Sequence, residues 1–186
     1  GVAGRYPAIA GDLLPTAIAT SLQVPVDHVL PACGSGEILR IAVEAFCGPA
    51  RPLVAAVPTF ETCTRTAAFL KWPVHEVALD AQLHLDLKAM ARQSAGAGLV
   101  FLCNPNNPTG TVHGASVVEG FIDEIRRASP ETIVLVDEAY HEYVESPAYA
   151  TAIPLARAYP QVVVSRTCSK VHGMAGLRVG FAIGRP

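Results

Sequence analysis

Gly98-Leu-Val-Phe-Leu-Cys-Asn-Pro-Asn-Asn-Pro-Thr-Gly110 decides how this chain is read. Its first half is a short unbroken apolar run, the pattern of a strand covered on both faces. The run stops at Asn104, where asparagine, proline and glycine take over as turn chemistry. The same alternation recurs along the chain. Leu53–Val57, Val74–Val77, Gly98–Leu102, Thr132–Val136, Val162–Ser165 and Val179–Ile183 read as strands. Asp12–Leu22, Ser35–Phe46, Phe60–Leu70, Asp86–Gln93 and Ala115–Ala128 read as helices. Strands separated by helical patterns of roughly 10–15 residues imply βαβ units. The fold class is α/β: three layers, α/β/α, around a mostly parallel sheet.

At 186 residues the chain is one domain or part of a larger protein. Hydrophobic residues make up 51%, and the mean hydropathy of +0.34 is high for a free-standing domain. That excess suits a sheet buried on both faces, with part of it expected to meet another subunit or domain. No run approaches the roughly 18 apolar residues of a membrane helix, and no signal peptide is visible. A net charge of −2 offers no electrostatic footprint for nucleic acid or anionic lipid. The five cysteines, Cys33, Cys47, Cys63, Cys103 and Cys168, show neither metal spacing nor a disulfide framework, which points to a reducing cytoplasm. None of the six histidines falls in an HExxH-like pattern, so no metal site is expected. Gly1–Tyr6 opens with neither strand nor helix, and Arg185-Pro186 follows directly on a strand. The chain therefore reads as a fragment.

In parallel sheets ligands bind beyond the carboxyl ends of the strands, and three polar segments occupy those positions here. The first is Asn104–Gly110, where two Asn-Pro steps restrict the backbone and can hold an asparagine amide rigid as a donor. The second is Val134-Leu-Val-Asp-Glu-Ala-Tyr140, a buried strand ending in two carboxylates and a tyrosine. Asp137 there suits either pairing with a pyridinium nitrogen or capping a following helix. A magnesium role for Asp137 and Glu138 would need a GxxxxGK[ST] loop, which is absent. The third is Arg166-Thr-Cys-Ser-Lys-Val-His-Gly-Met-Ala-Gly-Leu-Arg178. Lys170 lies there between the hydroxyls of Thr167 and Ser169 on one side and Gly173, Gly176 and Arg178 on the other. That grouping can hold an aldehyde and a phosphate together, the chemistry of a pyridoxal phosphate Schiff base.

Two weaker signals join these. Cys33-Gly-Ser-Gly-Glu37 opens a helical pattern and could cradle a phosphate on backbone N–H groups, although a glycine-rich turn before an ordinary helix has the same look. Phe60, just past a strand, could stack on a flat heterocycle or simply join the core. His141 and His172 read as local hydrogen-bonding partners.

Taken in order from Arg5-Tyr-Pro7 to Arg178, these residues resemble the fold-type I, pyridoxal-phosphate-dependent aminotransferases of class I/II, nearest the histidinol-phosphate aminotransferase branch. The resemblance implies the large cofactor-binding domain of an aspartate aminotransferase-like enzyme over residues 1–186, with an amino-terminal arm and a smaller carboxy-terminal domain outside this sequence. Lys170 resembles the lysine that joins the cofactor aldehyde and moves protons. Asp137 is similar to the partner of the pyridine nitrogen, and Asn107 and Tyr140 to the pair bonding the 3′ oxygen. Phe60 stands where an aromatic, usually Tyr or Trp, stacks on the ring. Ser35, Gly36, Thr167, Ser169 and Arg178 resemble the phosphate site, and Tyr6 a tyrosine that reaches the phosphate of a neighbouring subunit, hence a homodimer.

The implied activity is transfer of an amino group from an L-amino acid to a 2-oxo acid by a ping-pong route. Decarboxylation or C–S lysis on the same cofactor is the alternative, as is a catalytically incomplete cofactor-binding fragment. The expected small-molecule partners are the amino acid and the 2-oxo acid, with no nucleic acid and no membrane.

Overall fold

A computed structural model describes residues 13–186. Tyr6, and the expected helix start at Asp12, lie outside the described residues. Seven strands form one sheet: β1 (Val29–Ala32), β2 (Leu53–Val57), β3 (Val74–Ala78), β4 (Leu99–Cys103), β5 (Ile133–Asp137), β6 (Val162–Thr167) and β7 (Gly180–Ile183). Their order is β1-β7-β6-β5-β4-β2-β3. β7 is antiparallel to both its neighbours, and every other pairing is parallel. The helices are α1 (Leu13–Leu22), α2 (Ser35–Phe46), α3 (Thr62–Phe69), α4 (Leu87–Gln93), α5 (Ala115–Ala128) and α6 (Ile153–Ala158).

Strand side chains alternate between the two faces, and each face carries its own core. Val54, Ala56, Val100, Leu102, Val134 and Val136 point to the face covered by α1, α4, α5 and α6. Leu53, Ala55, Leu99, Phe101 and Leu135 point to the opposite face, under α2 and α3. This is the three-layer arrangement expected from the unbroken apolar runs. In α5 the buried residues Val118, Phe121, Ile122 and Ile125 recur at helical spacing and make one apolar stripe. Removing each such side chain from water contributes roughly 1.5–3 kcal/mol.

Three elements match their expected bounds: α2, β2 and α5. Others shift at their ends. β4 and β5 each run one residue later, β6 extends to Thr167, and α3 starts at Thr62. Asp86 lies just outside α4 as its N-cap, accepting the Ala89 N–H at 2.9 Å. Two elements were not anticipated. β1 contains Pro31, which cannot donate to a ladder; it is tolerated because β1 lies at the sheet edge and pairs only with β7. α6 has only six residues and begins Ile153-Pro154, too short to show a period.

Candidate functional site

The strand order reverses between β4 and β2: the chain runs outward from β2 to β3, then returns to β4 and proceeds the other way. Such a reversal opens a crevice at the carboxyl ends of the strands. The cavity there measures about 250 Å³ and is lined by Phe60 after β2, Asn107 after β4, Asp137 at the end of β5 and Lys170 after β6. Ser35, Gly36, Tyr140, Thr167, Ser169 and Arg178 complete the expected set. Every residue assigned to the site from the sequence lines this cavity except Tyr6, which lies outside the described residues.

The Asn-Pro loop is fastened by two of its asparagines and offers the third. Asn104 donates to His113 O (3.1 Å) and accepts from His113 N–H (2.8 Å). Asn106 accepts from Thr59 Oγ1 at 2.6 Å and donates to Pro58 O and Thr109 Oγ1. Both Asn-Pro peptide bonds are cis. With its neighbours pinned, Asn107 is presented to the cavity.

Beside the start of this loop, whose Asn104 N–H donates to Asp137 O at 3.0 Å, Asp137 is buried (1% exposed) and accepts a 2.6 Å hydrogen bond from Ser165 Oγ. Burial pushes its carboxyl up to about 6; the Ser165 hydrogen bond pulls down, the Glu138 charge pushes up, and Lys170 pulls down. A carboxylate held this deep gains from a cationic partner. Asp137 caps no helix: the following turn begins at Tyr140, and α6 starts only at Ile153. Lys170 Nζ sits 5.1 Å from the centroid of the Tyr140 ring, within cation–π range.

The far end of the cavity is positive. The first N–H groups of a helix have no partner within it, and Ser35 and Gly36 bring those of α2 to the cavity wall. Glu37 steadies this entry by accepting the Cys33 N–H at 2.7 Å. Arg178 has a left-handed backbone (φ 53°) and donates to Ser169 Oγ (3.2 Å), Ala175 O (2.9 Å) and Cys33 O (3.4 Å). Ser169 Oγ also accepts from Thr167 Oγ1 at 2.9 Å. Two donors thus occupy its lone pairs, which leaves its own proton for an anion.

Backbone proximity at this end depends on glycine twice. Gly34 has φ +84°, and a Cβ there would overlap the Arg178 guanidinium; a Cβ on Gly180 of β7 would overlap the backbone of Gly34 and Ser35. Gly180 was not singled out from the sequence, and Gly34 only as part of Cys33-Gly-Ser-Gly-Glu37, because the role of each is defined by a neighbour about 145 residues away in the chain. Cys103 was also missed. It lines the cavity, and burial pushes its thiol up to about 12, so it contributes a neutral wall beside Asp137. The available signal was its place as the last residue of the apolar run that stops at Asn104; the structure pairs it in register with Asp137.

The two histidines are peripheral, as expected. His141 Nδ1 lies 3.1 Å from Tyr149 Oη, and His172 Nε2 3.9 Å from Glu142. Among the described residues no group of acidic, histidine or cysteine side chains is arranged to hold a metal ion.

An α/β domain with its cavity at this strand reversal, carboxylate at one end and helix terminus with arginine at the other, has the fold-type I, aspartate aminotransferase-like architecture. The chain belongs to the class I and II aminotransferase family, whose model matches residues 4–186. It is 40% identical over 185 residues to the aromatic amino acid aminotransferase of Thermobifida fusca, covering 98% of this chain and 50% of that protein. It is 39% identical over 182 residues to the histidinol-phosphate aminotransferase of Symbiobacterium thermophilum, covering 97% and 49%. The crystal structure of histidinol-phosphate aminotransferase from Sinorhizobium meliloti in complex with pyridoxal-5'-phosphate matches with a TM-score of 0.89 and 26% identity, over 98% of this chain and 49% of that one. The chain spans about half the length of these relatives.

Proposed function

We propose that this chain is the large, cofactor-binding domain of a pyridoxal 5'-phosphate-dependent aminotransferase that moves an amino group from an L-amino acid to a 2-oxo acid by a ping-pong route. The observation that carries this reading is the separation of charge along one cavity. Buried Asp137 stands at one end, the α2 terminus with Ser169 and Arg178 at the other, and Lys170 with Tyr140 and Asn107 between. A ligand complementary to it has a cationic ring at one end and a phosphate at the other, and pyridoxal phosphate has that shape.

The cofactor supplies an electrophilic aldehyde and an electron-withdrawing ring. The chain supplies the rest. Asp137 holds the proton on the ring nitrogen, at the cost of keeping a carboxylate charged in a buried place. Asn107 and Tyr140 donate to the 3′ oxygen, and Phe60 covers the ring face. Ser35, Gly36, Thr167, Ser169 and Arg178 hold the phosphate. Lys170 would hold the cofactor aldehyde, and its free amine would serve as the base for the substrate α-proton. Positioned proton transfer of this kind contributes roughly 10²–10⁴-fold.

Relatives in this family include enzymes named for histidinol phosphate and for aromatic amino acids, which supports a primary-amine substrate with an aromatic or imidazole side chain. A homodimer is part of the proposal, with Tyr6 reaching the neighbouring subunit's phosphate. So is a reducing cytoplasm, which suits five free thiols. No helix among the described residues is long and apolar enough to cross a membrane.

The test uses the full-length protein with pyridoxal phosphate. Borohydride reduction is expected to fix the cofactor on Lys170 alone, and L-glutamate or another amino donor to yield one 2-oxo acid per site without an acceptor. Release of carbon dioxide, or of pyruvate without conversion of the cofactor to its pyridoxamine form, would assign the decarboxylase or lyase reaction, and an absence of adduct would end the cofactor reading.

A further inference from the structure

The backbone ladder joining β5 to β6 ends at Asp137↔Ser165, with one further bond from Glu138 N–H to Ser165 O at 2.9 Å. Beyond that rung the strands part. β6 continues through Arg166 and Thr167 against β7 alone, and the segment bearing Lys170 follows. Backbone bonds such as Cys168 N–H to Val179 O (2.9 Å) tie that segment to β7, while its direct links back to the end of β5 are made by side chains. On the cavity face that link is the Ser165–Asp137 hydrogen bond. On the reverse face it is Arg166, whose Nε and Nη2 both donate to Glu138 Oε2 at 2.9 and 2.8 Å.

This pair is buried: the side chains are 8% and 1% exposed. Glu138 also accepts from Thr151 Oγ1 (2.8 Å) and Ala152 N–H, and Arg166 Nη2 donates to Thr151 Oγ1 (2.9 Å). The pair therefore ties the ends of β5 and β6 to the start of α6. Glu142 adds a longer contact to Arg166, at 3.9 Å. A buried ion pair is a poor source of stability, since desolvation offsets most of the attraction and an apolar replacement is often as stable. Its value lies in geometry: five directed hydrogen bonds converge on one carboxylate and one hydroxyl.

We propose that Glu138 and Arg166 are positioning residues, a rivet on the reverse face of the sheet that holds the Asp137 carboxylate and the Lys170 amine at their working separation. Neither touches the cavity. Both act through the residues beside them in the chain, Asp137 and the Thr167–Lys170 segment. The inference rests on the proposed cofactor role of those two residues for its consequence, but the positional claim is measurable without cofactor.

The experiment compares the full-length protein with Glu138→Gln/Arg166→Met, which removes both charges while leaving a side-chain oxygen for Ala152 N–H. Three readouts are taken: the melting temperature, the Kd for pyridoxal phosphate, and the acetylation rate of Lys170 in cofactor-free protein, with exposed Lys71 and Lys88 as internal standards. The double variant is expected to fold cooperatively yet to bind cofactor on the order of 10–100-fold more weakly, the loss that outer supporting partners typically cause. The Lys170 rate relative to the standards should change about threefold or more as its distance from Asp137 relaxes. A folded double variant with the parent's Kd and labelling ratio overturns the proposal. Should the double variant not fold, Arg166→Lys replaces it under the same criteria, since an ammonium cannot reproduce the forked contact. If the parent itself takes up no pyridoxal phosphate, the cofactor reading fails and the labelling ratio alone decides the positional claim.

Discussion

Gly180 and Gly34 meet backbone to backbone: β7 presses against the entry of α2 so closely that a methyl group on Gly180 would occupy the same space as Gly34 and Ser35. The anion end of the cavity exists because a strand and a helix terminus approach without side chains between them. Gly180→Ala is expected to destabilise the protein by about 1–3 kcal/mol, as overpacking does. It should also weaken pyridoxal phosphate far more than pyridoxal, which lacks the phosphate. Absorbance titration with both ligands checks this; equal losses would locate the defect elsewhere.

Arg178→Lys tests the same end from the ligand side. The guanidinium reaches Ser169 Oγ, Ala175 O and Cys33 O at once from a left-handed backbone. An ammonium on a flexible stem makes fewer of these contacts and cannot grip a phosphate with two parallel bonds. Cofactor affinity is expected to fall about tenfold, a loss of roughly 1.4 kcal/mol, with little change in the melting temperature because Arg178 is exposed.

Asp137 makes a pH-dependent prediction for the cofactor-free protein. Its carboxyl moves from the ordinary 3.8 up to about 6 on folding. A folded-state value above the unfolded one means that the native state binds the proton more tightly between those limits, so stability falls as pH rises through that window. At 1.36 kcal/mol per unit, the cost above pH 6 is of the order of 3 kcal/mol. Asp137→Asn, which can still accept from Ser165, is therefore expected to raise the melting temperature at pH 7.5 and to change it little near pH 4. The same variant should slow amino transfer by about 10²–10³-fold in the full-length enzyme, the loss typical of removing one preorganised charge partner. Melting curves across pH and single-turnover rates measure the two effects separately.

Asn106→Ala addresses the loop that presents Asn107. It removes the acceptor for Thr59 and the donor to Pro58 O in a nearly enclosed position, 2% exposed. Leaving such partners unpaired costs about 1–3 kcal/mol each. Stability should fall by several kcal/mol, and the absorption band of bound cofactor should shift as Asn107 loses its fixed position. An unchanged spectrum in a folded variant would show that the loop holds its shape without Asn106.

Much of this was legible in the chain because it was written locally. The apolar runs at Leu53–Val57 and Leu99–Cys103 end in abrupt polar segments, and those segments are the site. Asp137 closes β5, and Asn107 and Lys170 each sit one short loop beyond a strand, so placing the strands placed them. What escaped was non-local or below the length at which a period shows. β1 hides behind Pro31 because an edge strand tolerates what a central strand cannot. Arg166 and Glu138 are 28 residues apart, each standing beside a residue with a more conspicuous role. Gly34 and Gly180 look like ordinary turn and strand glycines until the distance between them is known.

The same closure carries a consequence for how the site comes into being. Asp137 meets Ser165 across 28 residues, through a simple crossover, whereas Cys33 meets Arg178 across 145. Loop-closure entropy grows with the span, and contacts between distant segments form late. During synthesis at about 5–20 residues per second, the α2 entry waits roughly 7–30 s before β7 exists to receive it. The carboxylate end of the cavity is thus set early, with the parallel sheet, and the anion end is completed last. An anion held at that end would report that the segments bearing Cys33 and Arg178 have met.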